Sequence, residues 1–87
     1  MARVFIPPQM RELTGGREVV VVSGTTVREV IDGLELIHPG TRSLLCRDNQ
    51  LRPGLMIAVD SSVASTGLRT GVDADSEVHF LPALGGG

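Results

Sequence analysis

The 87-residue chain has no lysine, no tryptophan and no tyrosine; it has one cysteine, and Phe5 and Phe80 are its only phenylalanines. Each absence excludes something. Without lysine, all eight basic residues are arginines, so no internal side chain can accept an acyl group as an amine. Two phenylalanines are too few for an aromatic platform on which bases stack, and the net charge of −2 further excludes a nucleic-acid partner. A single cysteine allows neither an intramolecular disulfide nor a zinc cluster, and Cys46, after Leu44-Leu45, is expected to be packed away. No apolar run approaches the roughly 20 residues of a membrane span, and the first residues do not form a signal peptide. A soluble, cytoplasmic protein that is monomeric when free is expected, with no membrane partner.

Catalytic constellations are missing too. His38 precedes Pro39-Gly40 at a helix end and His79 falls inside a strand pattern, and neither has a cysteine or a suitably spaced acid beside it. No nucleophile–base pair, phosphate loop or metal-ligand spacing is visible. The chain is expected to be no enzyme by itself, with no metal and no bound cofactor.

What is present is a small α+β pattern. Arg3-Val4-Phe5-Ile6 reads as a strand, confined by Pro7-Pro8 to an edge or to its own end. Thr14-Gly15-Gly16-Arg17 is a turn, and the β-branched run from Glu18 to Val22 is a second strand, forming a hairpin with the first. Thr26-Val27-Arg28-Glu29 has the form of a capping box, in which Glu29 reaches back to the Thr26 amide. Val27, Val30, Ile31 and Leu34 then make an apolar helical stripe that ends at His38-Pro39-Gly40. Arg28 and Asp32 are spaced for an ion pair, and Gly33 weakens the helix unless a neighbour needs its bare backbone. Thr41 to Pro53 reads as a short helical turn and a loop, Leu55–Val59 as a third strand, 60–75 as a polar loop with a tight turn at Gly67-Leu68-Arg69-Thr70, and Glu77–Leu81 as the last strand. One helix on one face of a mixed sheet of four to five strands follows. The helical stripe should pack on Val4, Ile6, Val20, Val22, Ile57, Val59, Val78 and Phe80. By strand alternation, Phe5, Pro7, His79 and Leu81 should face outward, with Val63 extending the patch.

After Leu84 the sequence ends in Gly85-Gly86-Gly87. Glycine carries no Cβ, so such a tail can thread a channel too narrow for other residues, and its only functional group is the α-carboxylate of Gly87. The chain is expected to divide into a domain over residues 1–84 and a flexible glycine tail over 85–87, with the Gly87 carboxylate as the reactive group.

The element order resembles the ubiquitin-like β-grasp fold. Arg11-Glu12-Leu13-Thr14-Gly15 and the helix start Thr26–Ile31 are similar to segments of the MoaD/ThiS family, as is the terminus from Glu77 to Gly87, close to the family's "EV…LPAVAGG". Leu84 stands there for Val and Gly85 for Ala, and Asp73-Ala74-Asp75-Ser76 departs from the usual "DGDE" turn. The resemblance covers essentially the whole chain. It implies a sulfur carrier whose Gly87 carboxylate is adenylylated by a partner adenylyltransferase of the ubiquitin-activating type, using ATP and magnesium, and then converted to a thiocarboxylate. It also implies partner binding through Phe5, Pro7, Val63, Leu81, Pro82 and Leu84. Ile6-Pro7-Pro8 with Leu13-Thr14-Gly15-Gly16 is most similar to carriers of the CysO type, which serve a PLP-dependent cysteine synthase or another sulfur-incorporating enzyme. The alternatives are the small subunit of molybdopterin synthase, seated on its large subunit, and a protein modifier conjugated through Gly87.

Overall fold

The computed structural model describes residues 1–64 and 66–82. In chain order its elements are β1 (Ala2–Phe5), β2 (Val19–Val22), α1 (Val27–Ile37), α2 (Thr41–Leu45), β3 (Cys46–Arg47), β4 (Gln50–Leu51), β5 (Leu55–Val59), β6 (Ser62–Val63) and β7 (Glu77–Pro82). The main sheet runs β2-β1-β7-β5-β6, and β3 with β4 forms a separate ribbon. β1 and β7 are parallel, with Val4 opposite Val78, while the other pairs are antiparallel. The last strand of the described chain is thus the middle of the sheet. β1 is an interior strand, and Pro7 ends it because proline has no N–H to give to a ladder.

The residues facing α1 are the expected ones. Val27, Val30, Ile31 and Leu34 are buried against Val4, Ile6, Val20, Val22, Ile57, Val78 and Phe80, and only Val59 is half-buried. Fully burying each such side chain contributes about 1.5–3 kcal/mol. Met10, Leu45, Cys46 and Val72 close the same core. Burial pushes the Cys46 thiol up, which disfavours its reactive thiolate.

Local devices set the ends of the elements. Thr26 Oγ1 accepts the Glu29 amide at 3.2 Å, as the sequence predicts. Glu29 reaches one residue further back than expected, to the Thr25 amide at 2.8 Å and its hydroxyl at 2.9 Å. An isolated bridge between Thr26 and Gly71 holds this entry segment extended and leaves the Thr25 amide facing the helix. The expected Arg28–Asp32 pair does not form: α2 packs on α1 and brings the Arg42 Nε to 3.4 Å from Asp32. Glu35 of α1 caps α2 across the gap, accepting the amides of Gly40 at 3.1 Å and Arg42 at 2.9 Å, where Gly40 has no side chain to offer.

Two stretches expected as loops contain strands. Asp48 and Asn49, between β3 and β4, have φ of 54° and 61°, and Asp60 and Ser61, between β5 and β6, have 51° and 72°. Two positive φ values in a two-residue connection match the twist of a tight hairpin, and Asp and Asn tolerate them better than most side chains. The second hairpin supplies the fifth strand of the main sheet.

Candidate functional site: the outer sheet face and the root of the tail

Strand alternation decides which residues lie away from α1. The register places Val19 opposite Phe5, Phe5 opposite His79, His79 opposite Ala58 and Ala58 opposite Val63. These five residues, one from each strand, form a single row across the outer face. At its centre the rings of Phe5 and His79 stack with centroids 4.2 Å apart and planes within 10°. Such a pair adds about 0.5–1.5 kcal/mol beyond the area it covers, and it makes a stiff, flat platform.

Beside this row, toward the start of β7, lies a polar edge. Arg3 Nη2 donates to Glu77 Oε2 at 2.8 Å, and the other Glu77 oxygen lies 3.6 Å from His79 Nε2. Toward the end of β7 lies an apolar edge, where Leu81 pairs with Met56 and remains 40% exposed. Charge on one margin and exposed leucine on the other give the platform a direction. The apolar margin is the one next to the residues that follow Pro82.

β7 is fixed at both flanks and at its start. Asp60 accepts the Ser76 hydroxyl at 2.8 Å and the Glu77 amide at 2.9 Å, while its own amide donates to the Glu77 carbonyl at 3.0 Å. The Glu77 amide and the Ser76 hydroxyl hold the Asp60 carboxyl below its ordinary range. The strand that carries the tail is therefore anchored at the end opposite the tail.

The expected site residues distribute as follows. Phe5, Val63 and Leu81 lie on the outer face; Phe5 is half-buried by its stacking partner, and Val63 is 62% exposed on the edge strand. Leu81 remains exposed, and the described residues of 60–75 include β6 and a 3-10 turn at Gly67–Arg69. Pro7 is a correction. The chain leaves the sheet after Phe5 and turns into a 3-10 turn at Pro8–Met10, so Pro7 lines a cavity of about 200 Å³ with Met10, Leu44 and Leu55. Pro82 is in β7 opposite Leu55, and Leu84, Gly85, Gly86 and Gly87 lie outside the described residues. Val19, Ala58 and Met56 belong to the face but were not among the expected site residues. Alternation along β2 and β5 carried the signal for them.

Among the described residues no helix is long and apolar enough to cross a membrane, and no three His, Cys, Asp or Glu gather to hold a metal ion.

Comparison with known proteins places the chain in a family. The ThiS family model matches residues 4–87. A chain of the Amycolatopsis orientalis BexX/CysO complex is 32% identical, with a TM-score of 0.91 and both chains covered in full. CysO of Mycobacterium tuberculosis is 31% identical, with a TM-score of 0.89 over 97% of this chain and 100% of that one. SAMP1 of Haloferax volcanii is 25% identical, with a TM-score of 0.72 over 99% of this chain and 98% of that one. No curated protein sequence matches the chain. With a five-stranded β-grasp sheet, the ThiS match over nearly its whole length and the CysO likeness end to end, the chain belongs to the ThiS family of ubiquitin-like sulfur carriers.

Proposed function

We propose that the chain is a co-substrate that delivers sulfur from its Gly87 terminus. A carboxylate is a poor electrophile at neutral pH. A partner adenylyltransferase of the ubiquitin-activating type, with ATP and magnesium, joins the Gly87 carboxylate to AMP and releases pyrophosphate. Hydrosulfide, or the terminal sulfur of a donor persulfide, then attacks the acyl carbon and expels AMP. Attack by hydrosulfide leaves the thiocarboxylate at once, whereas a persulfide donor must also be reduced to release it. The ionised sulfur is the nucleophile handed to a sulfur-using enzyme, and hydrolysis after transfer returns the carboxylate.

The observation that carries this reading is the position of β7. The central strand, pinned at Asp60, leads past the exposed Leu81 into a segment ending in three glycines. The Phe5–His79 platform seats a partner while the glycines enter its active site. The Amycolatopsis CysO occurs in a complex with BexX, and the end-to-end likeness to CysO favours a biosynthetic sulfur-using enzyme here, a cysteine synthase or another sulfur-incorporating enzyme. The molybdopterin synthase and protein-modifier readings predict different products from the same terminus.

Incubation with the activating enzyme, ATP and sulfide should raise the mass of the intact protein by one sulfur-for-oxygen exchange. Deletion of Gly87 should abolish the gain without changing the fold. An adduct of protein size would favour the modifier reading. Normal activation of a chain extended beyond Gly87, without prior cleavage, would refute the mechanism.

A further inference from the structure

On the side of the molecule away from the platform is a groove of about 520 Å³ between the start of α1, the β4 strand and the 3-10 turn at Gly67–Arg69. Its lining has three kinds of surface. Arg28 and Arg69 stand exposed in its walls, Leu51 and Leu68 are half-buried and packed against the core, and Asn49 and Gln50 present side-chain amides, of which the Asn49 Oδ1 already accepts from Arg42 Nη2 at 3.4 Å.

The arginines are notable for what they do not do. Among the described residues, Arg3, Arg11 and Arg42 sit in ion pairs and Arg52 donates to the Ser43 carbonyl. Arg28 and Arg69, like Arg17 and Arg47, make neither an ion pair nor a side-chain hydrogen bond among the described residues, although the protein carries more acid than base; of these four only Arg28 and Arg69 line the groove. The nearest acids on α1 are engaged elsewhere, Glu29 with Thr25 and Asp32 with Arg42. The hydroxyls of Thr66 and Thr70 bond each other at 2.8 Å. Two guanidinium groups in one groove, paired with no acid among the described residues, leave their donors for an oxyanion from outside. Guanidinium is the side chain best shaped to hold phosphate in two-point contact.

We propose that this groove binds a small phosphate ester with a planar body, of mononucleotide size. Arg28 and Arg69 hold the phosphate, Leu51 and Leu68 form the floor under the planar body, and Asn49 and Gln50 offer both donors and acceptors to its heteroatom edge. The volume lies within the range of small-ligand sites, about 300–1,000 Å³. The site is separate from the tail, so its failure would leave the reading of Gly87 untouched.

Titration of the full chain with AMP, followed by amide NMR shifts, tests the proposal. The amides of Arg28, Gln50, Leu51 and Gly67–Arg69 should move together, and those of Phe5, His79 and Leu81 should stay in place. The double variant Arg28→Gln/Arg69→Gln alters only exposed side chains and should weaken AMP at least ten-fold while keeping the spectrum of the fold. Inorganic phosphate and adenosine, tested alone, should each bind more weakly than AMP, because each meets half the site. Shifts scattered over the whole surface, binding unchanged in the double variant, or equal affinity for inorganic phosphate and AMP would overturn it.

Discussion

Replacing Gly33 by alanine should destabilise the protein, although helix propensity alone says the opposite. Gly33 lies in the middle of α1, where glycine costs about 1 kcal/mol relative to alanine. On an isolated helix the substitution would therefore stabilise. In the fold, a Cβ at position 33 would stand 2.5 Å from Cγ1 of Val22, far inside the 3.5–4.0 Å at which carbon atoms make their best contact. Val22 has no easy escape. It is 2% exposed, and a branched Cβ leaves its side chain few rotamers. Either α1 lifts from β2 or Val22 leaves its well, and overpacking of this kind costs about 1–3 kcal/mol. Subtracting the propensity gain of about 1 kcal/mol leaves a net loss of about 0–2 kcal/mol. At about 4–8 °C per kcal/mol for a domain of this size, a loss of 1 kcal/mol is easily measured in a thermal melt. The cause can be isolated by a double-mutant cycle. In a Val22→Ala background the obstructing methyl is gone, so Gly33→Ala should become stabilising there. A melting temperature that rises on Gly33→Ala in the native background would refute this reasoning.

Three further outcomes are expected. Ile31→Ala removes a side chain buried to 1% exposure and should cost about 2–5 kcal/mol, seen as a fall of the melting temperature by several degrees or more; an unchanged melt would show that this stripe is not the core. Leu81→Glu should weaken binding of the activating enzyme by about 2 kcal/mol or more while the melt stays the same, and normal activation kinetics in that folded variant would remove the outer face from the mechanism. The carboxyls of Glu29, Glu35 and Asp60 are all held below their ordinary values of 4.5, 4.5 and 3.8 by amide and hydroxyl donors in the folded state. Their contribution is complete above those values and drains away as the pH falls through the lowered folded-state ones, so unfolding free energy should decline steadily on acidification below about pH 4.5. Glu35→Gln should make that decline shallower, and an identical acid slope in the variant would show that Glu35 is not linked to folding.

The parts of this fold that follow from repeating local patterns were legible in the sequence. The β-branched run from Val19 to Val22 marked β2, the i, i+3, i+4, i+7 spacing marked α1, and the alternation of strand faces placed Phe5 and Leu81 on the outer face. What was not legible depends on segments far apart in the chain. The Glu35 cap on α2 and the Asp32–Arg42 pair join two helices, and no local spacing announces them. The Arg3–Glu77 bond spans 74 positions, and the Phe5–His79 stack depends on the same parallel pairing of β1 with β7, which no single segment encodes. The short strands β3, β4 and β6 escaped for a different reason. Two-residue strands are too short for any alternation, and their turns use Asp48-Asn49 and Asp60-Ser61 without the glycine that usually marks a tight hairpin. Pro7 was placed outward because alternation was continued two residues past Phe5, where β1 ends.

The element order has a consequence for biogenesis. β7 is the last of these strands to leave the ribosome, yet it is the one that both β1 and β5 need as a neighbour. Until Glu77 and the residues after it are free of the exit tunnel, the nascent chain can close its first hairpin around α1, but the two halves of the sheet have nothing between them. A message cut short ahead of that point yields a product whose β1 and β5 edges both lie open, and such edges invite aggregation or degradation. The row from Val19 to Val63 exists only in chains that have received their central strand. Any partner that reads this row would thereby pass over truncated products.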